Sequence, residues 1–202
     1  MDCMQVPYEI IVVDDGSTDK TAREATRHKA TVLRNERNRG KGYAMRVAFS
    51  QAQGDIVVTL DADGEHSPKE IPDIVIPLFN GTDVVAGSRF MGTGTDSIAR
   101  LNRMGNFMFN MVIATLTGKR VTDSQTGFRA IKKEVLEKLN LTSCGYEIES
   151  EITVKSLKNG FVFHERPIRY KHRECNTSKL KIFSDGAKIL RTIIRANLAK
   201  ID

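Results

Sequence analysis

Short β-branched runs alternate along the chain with amphipathic stretches, the rhythm of an α/β fold in which strands are followed by helices. Residues 9–13 (EIIVV) form an apolar run that stops at Asp14, Asp15 and Gly16. A helix is predicted over residues 18–27, with Ser17 or Thr18 available as its cap. Residues 31–33 predict a second strand, residues 38–42 a glycine-rich turn, and residues 43–52 a helix. Residues 55–60 (DIVVTL) are the clearest strand and run into Asp61, Ala62 and Asp63. Ser67, Pro68 and Glu70 combine a capping-box pattern with proline at the first helical position. Another strand is expected over residues 83–87, ending at Ser88 and Arg89.

Beyond Arg89 the pattern changes. Residues 98–117 predict a helix whose far half (Phe107, Met108, Phe109, Met111, Val112, Ile113) is apolar on every side. Residues 121–129 read as a polar loop, 148–158 as a helix, and 161–163 and 168–170 as short strands. In the tail, Phe183, Ala187, Leu190 and Ile194 recur at helical spacing, with Lys188, Arg191 and Arg195 elsewhere on the wheel. The longest uncharged stretch, residues 104–118, includes Gly105, Asn106 and Asn110. It falls short of the roughly 20 apolar residues that a membrane span requires.

At 202 residues, 40% hydrophobic and 28% charged, the chain suits one domain with a sizeable core rather than a disordered or collagen-like protein. Cys3, Cys144 and Cys175 form no CxxC pair, which suits a reduced compartment. The net charge of +6 is localised: residues 164–202 hold ten Lys or Arg against four Asp or Glu, and the rest of the chain balances. An anionic partner is expected there, such as phosphate or an acidic lipid surface. Nucleic acid is set aside, because aromatic content is 6%, Trp is absent and no binding motif occurs.

Two acidic turns carry the candidate chemistry. Asp61 and Asp63 follow a strand, where ligands sit in open α/β sheets. Two carboxylates so spaced can share a hard cation, Mg²⁺ or Mn²⁺, with Glu65 or His66 completing the shell. Asp14 and Asp15 could accept hydrogen bonds from ribose or base, with Ser17 and the following helix terminus offering donors to an anion. Both turns are expected on one edge of one parallel sheet. Each motif also has an ordinary reading, since acidic turns after strands are common on surfaces. Glu147 and Glu149 read as favouring a helix dipole. His164 and His172 have no metal-binding spacing.

The segments VVDDGSTD (12–19), LDAD (60–63), GSR (87–89) and DSQTGFR (123–129) occur in an order and spacing that resembles the family 2 glycosyltransferases of GT-A fold. Within them the chain most resembles the polyprenyl-phosphate glycosyltransferases of the dolichol-phosphate mannose synthase type, with Arg173 and residues 178–180 extending the match towards the tail. The resemblance implies a three-layer, Rossmann-like fold with a mainly parallel sheet. It divides one catalytic domain into a nucleotide-sugar half (1–90), an acceptor half (91–180) and a basic amphipathic tail helix (181–202). The family starts with a further strand, loop and helix, whereas eight residues precede Glu9 here; the resemblance therefore implies an amino-terminally truncated domain.

The implied activity is inverting transfer of mannose or glucose from GDP-mannose or UDP-glucose to a polyprenyl phosphate. Asp14, Asp15, Ser17, Lys41, Asp61 and Lys179 would bind the nucleotide sugar, and Asp61, Asp63 and Glu65 the Mg²⁺ or Mn²⁺. Ser88, Arg89 and Arg103 would face the acceptor phosphate. Asp123, Gln125 and Arg173 would act at the reacting centre, within a loop (123–129) lining the sugar site. Gly64 in place of Leu resembles the glucose rather than the mannose enzymes. The apolar half-helix and basic tail would dock the protein on the cytoplasmic face of a membrane, with room for a membrane-protein partner subunit. Another acceptor, or a nucleotide-binding remnant without turnover, also fits these residues.

Overall fold

A computed structural model describes residues 6–93, 98–171 and 182–199. Strands β1 (Ile11–Asp14) and β2 (Thr31–Arg34) pair in parallel, joined through helix α1 (Thr21–Arg27), as a sheet of two. The expected cap at Ser17 or Thr18 is not formed. Ser17 instead donates its N–H to Asp14 Oδ1 at 2.8 Å, closing the acidic turn, and the helix starts at Thr21.

Helix α2 (Lys41–Gln51) leads to β3 (Ile56–Thr59), and a 3₁₀ turn (Pro68–Glu70) leads into α3 (Ile71–Phe79) and β4 (Val84–Ser88). Proline does open the turn, but Ser67 makes no side-chain capping bond. Then follow α4 (Arg100–Thr117), β5 (Arg129–Lys132), α5 (Lys133–Lys138), α6 (Ile148–Lys158), β6 (Phe163–Pro167) and α7 (Ile182–Leu198). One strand, β6, replaces the two expected over 161–163 and 168–170. Ile168 leaves the strand to pack in the core and donates its N–H to the Ser88 carbonyl.

The main sheet has the order β3-β5-β4-β6. β5 runs antiparallel to both β3 and β4, whereas β4 and β6 are parallel, so the sheet is mixed rather than mainly parallel. The two acidic turns therefore end strands of different sheets. Strand pleating sorts the core: Val85 and Ala130 face α3 (Ile74, Val75, Leu78), while Val84 and Ile131 face Leu136, Ile148 and Ile152. Each of the Val, Leu and Ile side chains contributes about 2 kcal/mol of burial.

A third cluster (Ile113, Val154, Ile189, Ile193, Ala196) joins α4, α6 and α7. In α7 the buried stripe is thus Ile189, Ile193 and Ala196, and the predicted stripe faces outward, with Phe183 91% exposed. Helix α4 departs from the expected all-round apolar half in another way: Met104, Phe107, Met108 and Met111 are exposed, while Asn106 and Asn110 are buried beside Ile113. The two asparagines are held inside because both side chains donate to the Thr122 carbonyl.

Candidate active site

A cleft of about 230 Å³ opens beyond the ends of β3 and β4, and Lys41, Asp61, Asp63, Glu65, Arg89 and Gln125 all line it. Glycines bring Lys41 there. Gly40 has φ +96°, and a Cβ on Gly40 or Gly42 would overlap backbone of residues 143–145. This close approach sets the start of α2 against the loop entering α6, which carries Glu149.

Lys41 Nζ lies 2.8 Å from Asp61 Oδ2 and 2.6 Å from Glu149 Oε1. Glu149 is buried, and among the described residues its Oε2 has no hydrogen-bond partner. Burial opposes the Lys41 charge, but Glu149 and Asp61 outweigh it and raise the lysine pKa. Asp61 is likewise pushed up by burial and pulled down further by Lys41, a net lowering. For Glu149 burial wins, and its carboxyl pKa is raised. Gly127 explains its own place in the loop: a Cβ there would lie 2.5 Å from Asp61 Oδ2 and 2.9 Å from Lys41 Nζ.

Asp63 accepts the Glu65 N–H at 3.1 Å. Glu65 itself hydrogen-bonds Tyr170, whose hydroxyl is pushed up to about 12 by burial and then by Glu65. His66 does not join the acids. It is buried beside Phe128 and Tyr170, with ring centroids at 5.6 and 6.0 Å, and burial followed by Arg89 lowers its pKa. Among the described residues no three His, Cys, Asp or Glu side chains form a cation cage. The Asp61 and Asp63 carboxylates nevertheless fit Mg²⁺ or Mn²⁺, whose remaining ligands can come from diphosphate and water.

Across the cleft Arg89 grips Asp123 in a fork, with Nε to Oδ2 at 2.7 Å and Nη2 to Oδ1 at 2.9 Å. Asp123 is fully buried. Both of its oxygens accept hydrogen bonds from Arg89. Burial opposes the Arg89 charge, and Asp123 more than restores it, raising the pKa. The loop behind is tied from several sides. Glu165 accepts the N–H groups of Thr122 and Asp123, Asn110 accepts that of Ser124, and Ser88 hydrogen-bonds Thr122. Arg129 is buried too, and donates to the carbonyls of Ser124 and Thr126 and to the Thr153 hydroxyl. Of residues 123–129 only Gln125 lines the cleft, donating to Ser124 and Ser150.

Other expected residues lie elsewhere. Asp14, Asp15 and Ser17 do not line this cleft. Asp15 accepts the N–H groups of Arg39 and Gly40 and the Asn35 amide, so it fixes the turn that presents Lys41. Asp14 is buried, with Arg34 at 3.4 Å. Ser88 is buried behind Arg89, and Arg103 is exposed on α4, whose Leu101 and Asn102 line the cleft. Arg173 and Lys179 lie outside the described residues. Sequence reasoning missed Glu149, Tyr170 and Asn110. For Glu149 the available signal was an acid beside Ile148 on a helix whose Ile148–Ile152 spacing marks a buried side.

Residues 4–140 match the model of the glycosyl transferase family 2. The chain is 34% identical over 182 residues to the dolichol-phosphate mannosyltransferase of Pyrococcus furiosus, covering 86% of this chain and 51% of that protein. It is 32% identical over 188 residues to the dolichyl-phosphate hexose transferase of Haloferax volcanii, covering 93% and 81% respectively. Its fold is similar to the glucosyl-3-phosphoglycerate synthase of Mycobacterium tuberculosis, solved with Mn²⁺, UDP and phosphoglyceric acid. That match has a TM-score of 0.74 and 24% identity, and covers 94% of this chain and 67% of the other.

Proposed function

The chain belongs to glycosyl transferase family 2, and from that premise we propose that it transfers a hexose, mannose or glucose, from a nucleotide diphosphate sugar to a polyprenyl phosphate. The relatives from Pyrococcus furiosus and Haloferax volcanii, named for dolichyl-phosphate substrates, support this acceptor. The observation that carries the reading is one cleft with an acidic, lysine-bearing end (Lys41, Asp61, Asp63) and a cationic end at Arg89.

Asp61 and Asp63 would hold Mg²⁺ or Mn²⁺, which would supply charge neutralisation for the departing nucleoside diphosphate. Lys41 adds a fixed positive charge beside them. Arg89, held rigid by Asp123, orients an acceptor phosphate that is already anionic and needs positioning more than deprotonation. Gln125, held by Ser150, offers its amide carbonyl to sugar hydroxyls. Asp14, Asp15 and Ser17 support the nucleotide end, with Asp15 acting through the turn before Lys41. Arg173 and Lys179 complete the diphosphate contacts in this reading.

The acceptor tail requires a lipid surface. Met104, Phe107, Met108 and Met111 on α4, and Phe183, Leu190 and Leu198 on α7, are exposed on helices that pack together, with exposed Lys188, Arg191 and Arg195 beside them. Such a face suits peripheral docking on an anionic cytoplasmic leaflet, or on a membrane-protein partner subunit. No helix of the described residues is long and apolar enough to cross a membrane.

The test supplies the chain with radiolabelled GDP-mannose or UDP-glucose, Mn²⁺ and vesicles containing a polyprenyl phosphate. One donor should label an acid-labile lipid product. Label released only as free sugar, or passed to a water-soluble phosphate acceptor in preference to the lipid, would contradict the reading.

A further inference from the structure

The acidic end of the cleft already contains a cation. Lys41 Nζ sits between Asp61 Oδ2 at 2.8 Å and Glu149 Oε1 at 2.6 Å, inside a cleft also lined by Asp63. It is fixed from three directions. The Gly40 and Gly42 contacts with residues 143–145 anchor its backbone, Asp15 holds the turn before it, and Gly127 leaves room for the ammonium. Lys41 therefore does not sweep solvent like a surface lysine; its side chain is 22% exposed.

We propose that Lys41 is an internal placeholder for the divalent cation, holding Asp61 in the empty enzyme so that metal binds well only together with a nucleotide diphosphate. The inference rests on the metal reading of Asp61 and Asp63. A divalent ion on Asp61 must compete with the lysine ammonium for the same carboxylate and tolerate its positive charge nearby. The incoming diphosphate changes the balance by giving the ammonium another anionic partner, which releases the Asp61 oxygen. Glu149 is the resting half of the device: its buried carboxylate, 2.6 Å from the ammonium, keeps Lys41 within reach when Asp61 is taken. Metal and donor would then bind with mutual cooperativity, each raising the affinity of the other by the same factor.

The test is Mn²⁺ binding followed by electron paramagnetic resonance of the free ion, with and without UDP or GDP, so that no turnover is needed. In the wild type, the nucleotide should tighten Mn²⁺ binding strongly. Lys41→Met should bind Mn²⁺ without nucleotide about tenfold more tightly than wild type, and should lose most of the enhancement by nucleotide. Lys41→Arg, which keeps the charge, should stay near wild type. Because Lys41→Met leaves Glu149 buried without its partner and can unfold the chain, the comparison is repeated as Lys41→Met/Glu149→Gln against Glu149→Gln alone. The double variant should bind free Mn²⁺ more tightly than the single one. Unchanged or weaker Mn²⁺ binding on loss of the lysine, in both backgrounds, would overturn the placeholder role alone. Failure of the wild type to bind Mn²⁺ even with nucleotide would overturn the metal reading beneath it.

Discussion

Arg89 and Asp123 meet through two parallel hydrogen bonds, 2.7 and 2.9 Å long, with the carboxylate fully buried and the guanidinium at the wall of the cleft. The pair joins the end of β4 to the loop before β5. A buried carboxylate left without its partner is costly, so Arg89→Ala should lower unfolding stability by about 3 kcal/mol, measured in urea. Arg89→Lys keeps the charge but not the fork. It should raise the KM for polyprenyl phosphate well beyond any change in donor affinity. Equal losses for both substrates would remove Arg89 from the acceptor end.

Gly127 tests the opposite wall. Its backbone φ is ordinary, so Gly127→Ala is penalised by the approach of the new Cβ to Asp61 Oδ2 at 2.5 Å and to Lys41 Nζ at 2.9 Å. Donor affinity should fall by about tenfold or more while the melting temperature moves little. Calorimetry and thermal unfolding on the same samples separate the two effects.

Glu151 predicts an acid limb in stability. Burial would raise its carboxyl pKa, but Lys155 at 2.7 Å and the Ser143 N–H outweigh it, and the pKa is lowered. A depressed folded pKa means that the stabilisation is complete above the ordinary glutamate value of about 4.3 and is lost as pH falls through the folded value. Glu151→Gln should therefore be less stable at neutral pH and show a flatter loss below pH of about 4. Chemical unfolding across pH reads the difference.

The outward face of α4 predicts lipid binding that can be removed without touching the cleft. Phe107 and Met111 are exposed and do not line it. Phe107→Ser with Met111→Ser should reduce flotation with anionic vesicles by about tenfold, given roughly 1.5–3 kcal/mol per fully buried side chain. Donor binding in solution should be unchanged. Unaltered flotation would move the docking surface elsewhere.

Much of this was legible in the order of residues, and the exceptions have physical causes. Strands β1 to β4 were visible as β-branched runs, and β1, β3 and β4 stand beside Gly or Asp. β5 was not, because two of its four residues are Arg129 and Lys132, and Arg129 is buried only through its hydrogen bonds to loop and helix. That hidden strand is what makes the sheet mixed. The outward stripes of α4 and α7 were read as apolar, but periodicity cannot say which apolar side meets the core. Asn110 settles it for α4, since its amide serves the backbone of both Thr122 and Ser124. In the cleft, Lys41, Asp61, Asp63, Arg89 and Gln125 were all anticipated. Glu149 was hidden because burial of a carboxylate depends on a partner 108 positions away in sequence, at Lys41.

The central claim is that this cleft binds a nucleotide sugar through a divalent cation on Asp61 and Asp63, and isothermal titration tests it most directly. The wild-type chain is titrated with UDP-glucose and GDP-mannose, with and without Mn²⁺, alongside Asp63→Ala. The account predicts Mn²⁺-dependent binding of one donor, abolished in Asp63→Ala with the fold retained. Donor binding that ignores Mn²⁺, or that survives in Asp63→Ala, would contradict it.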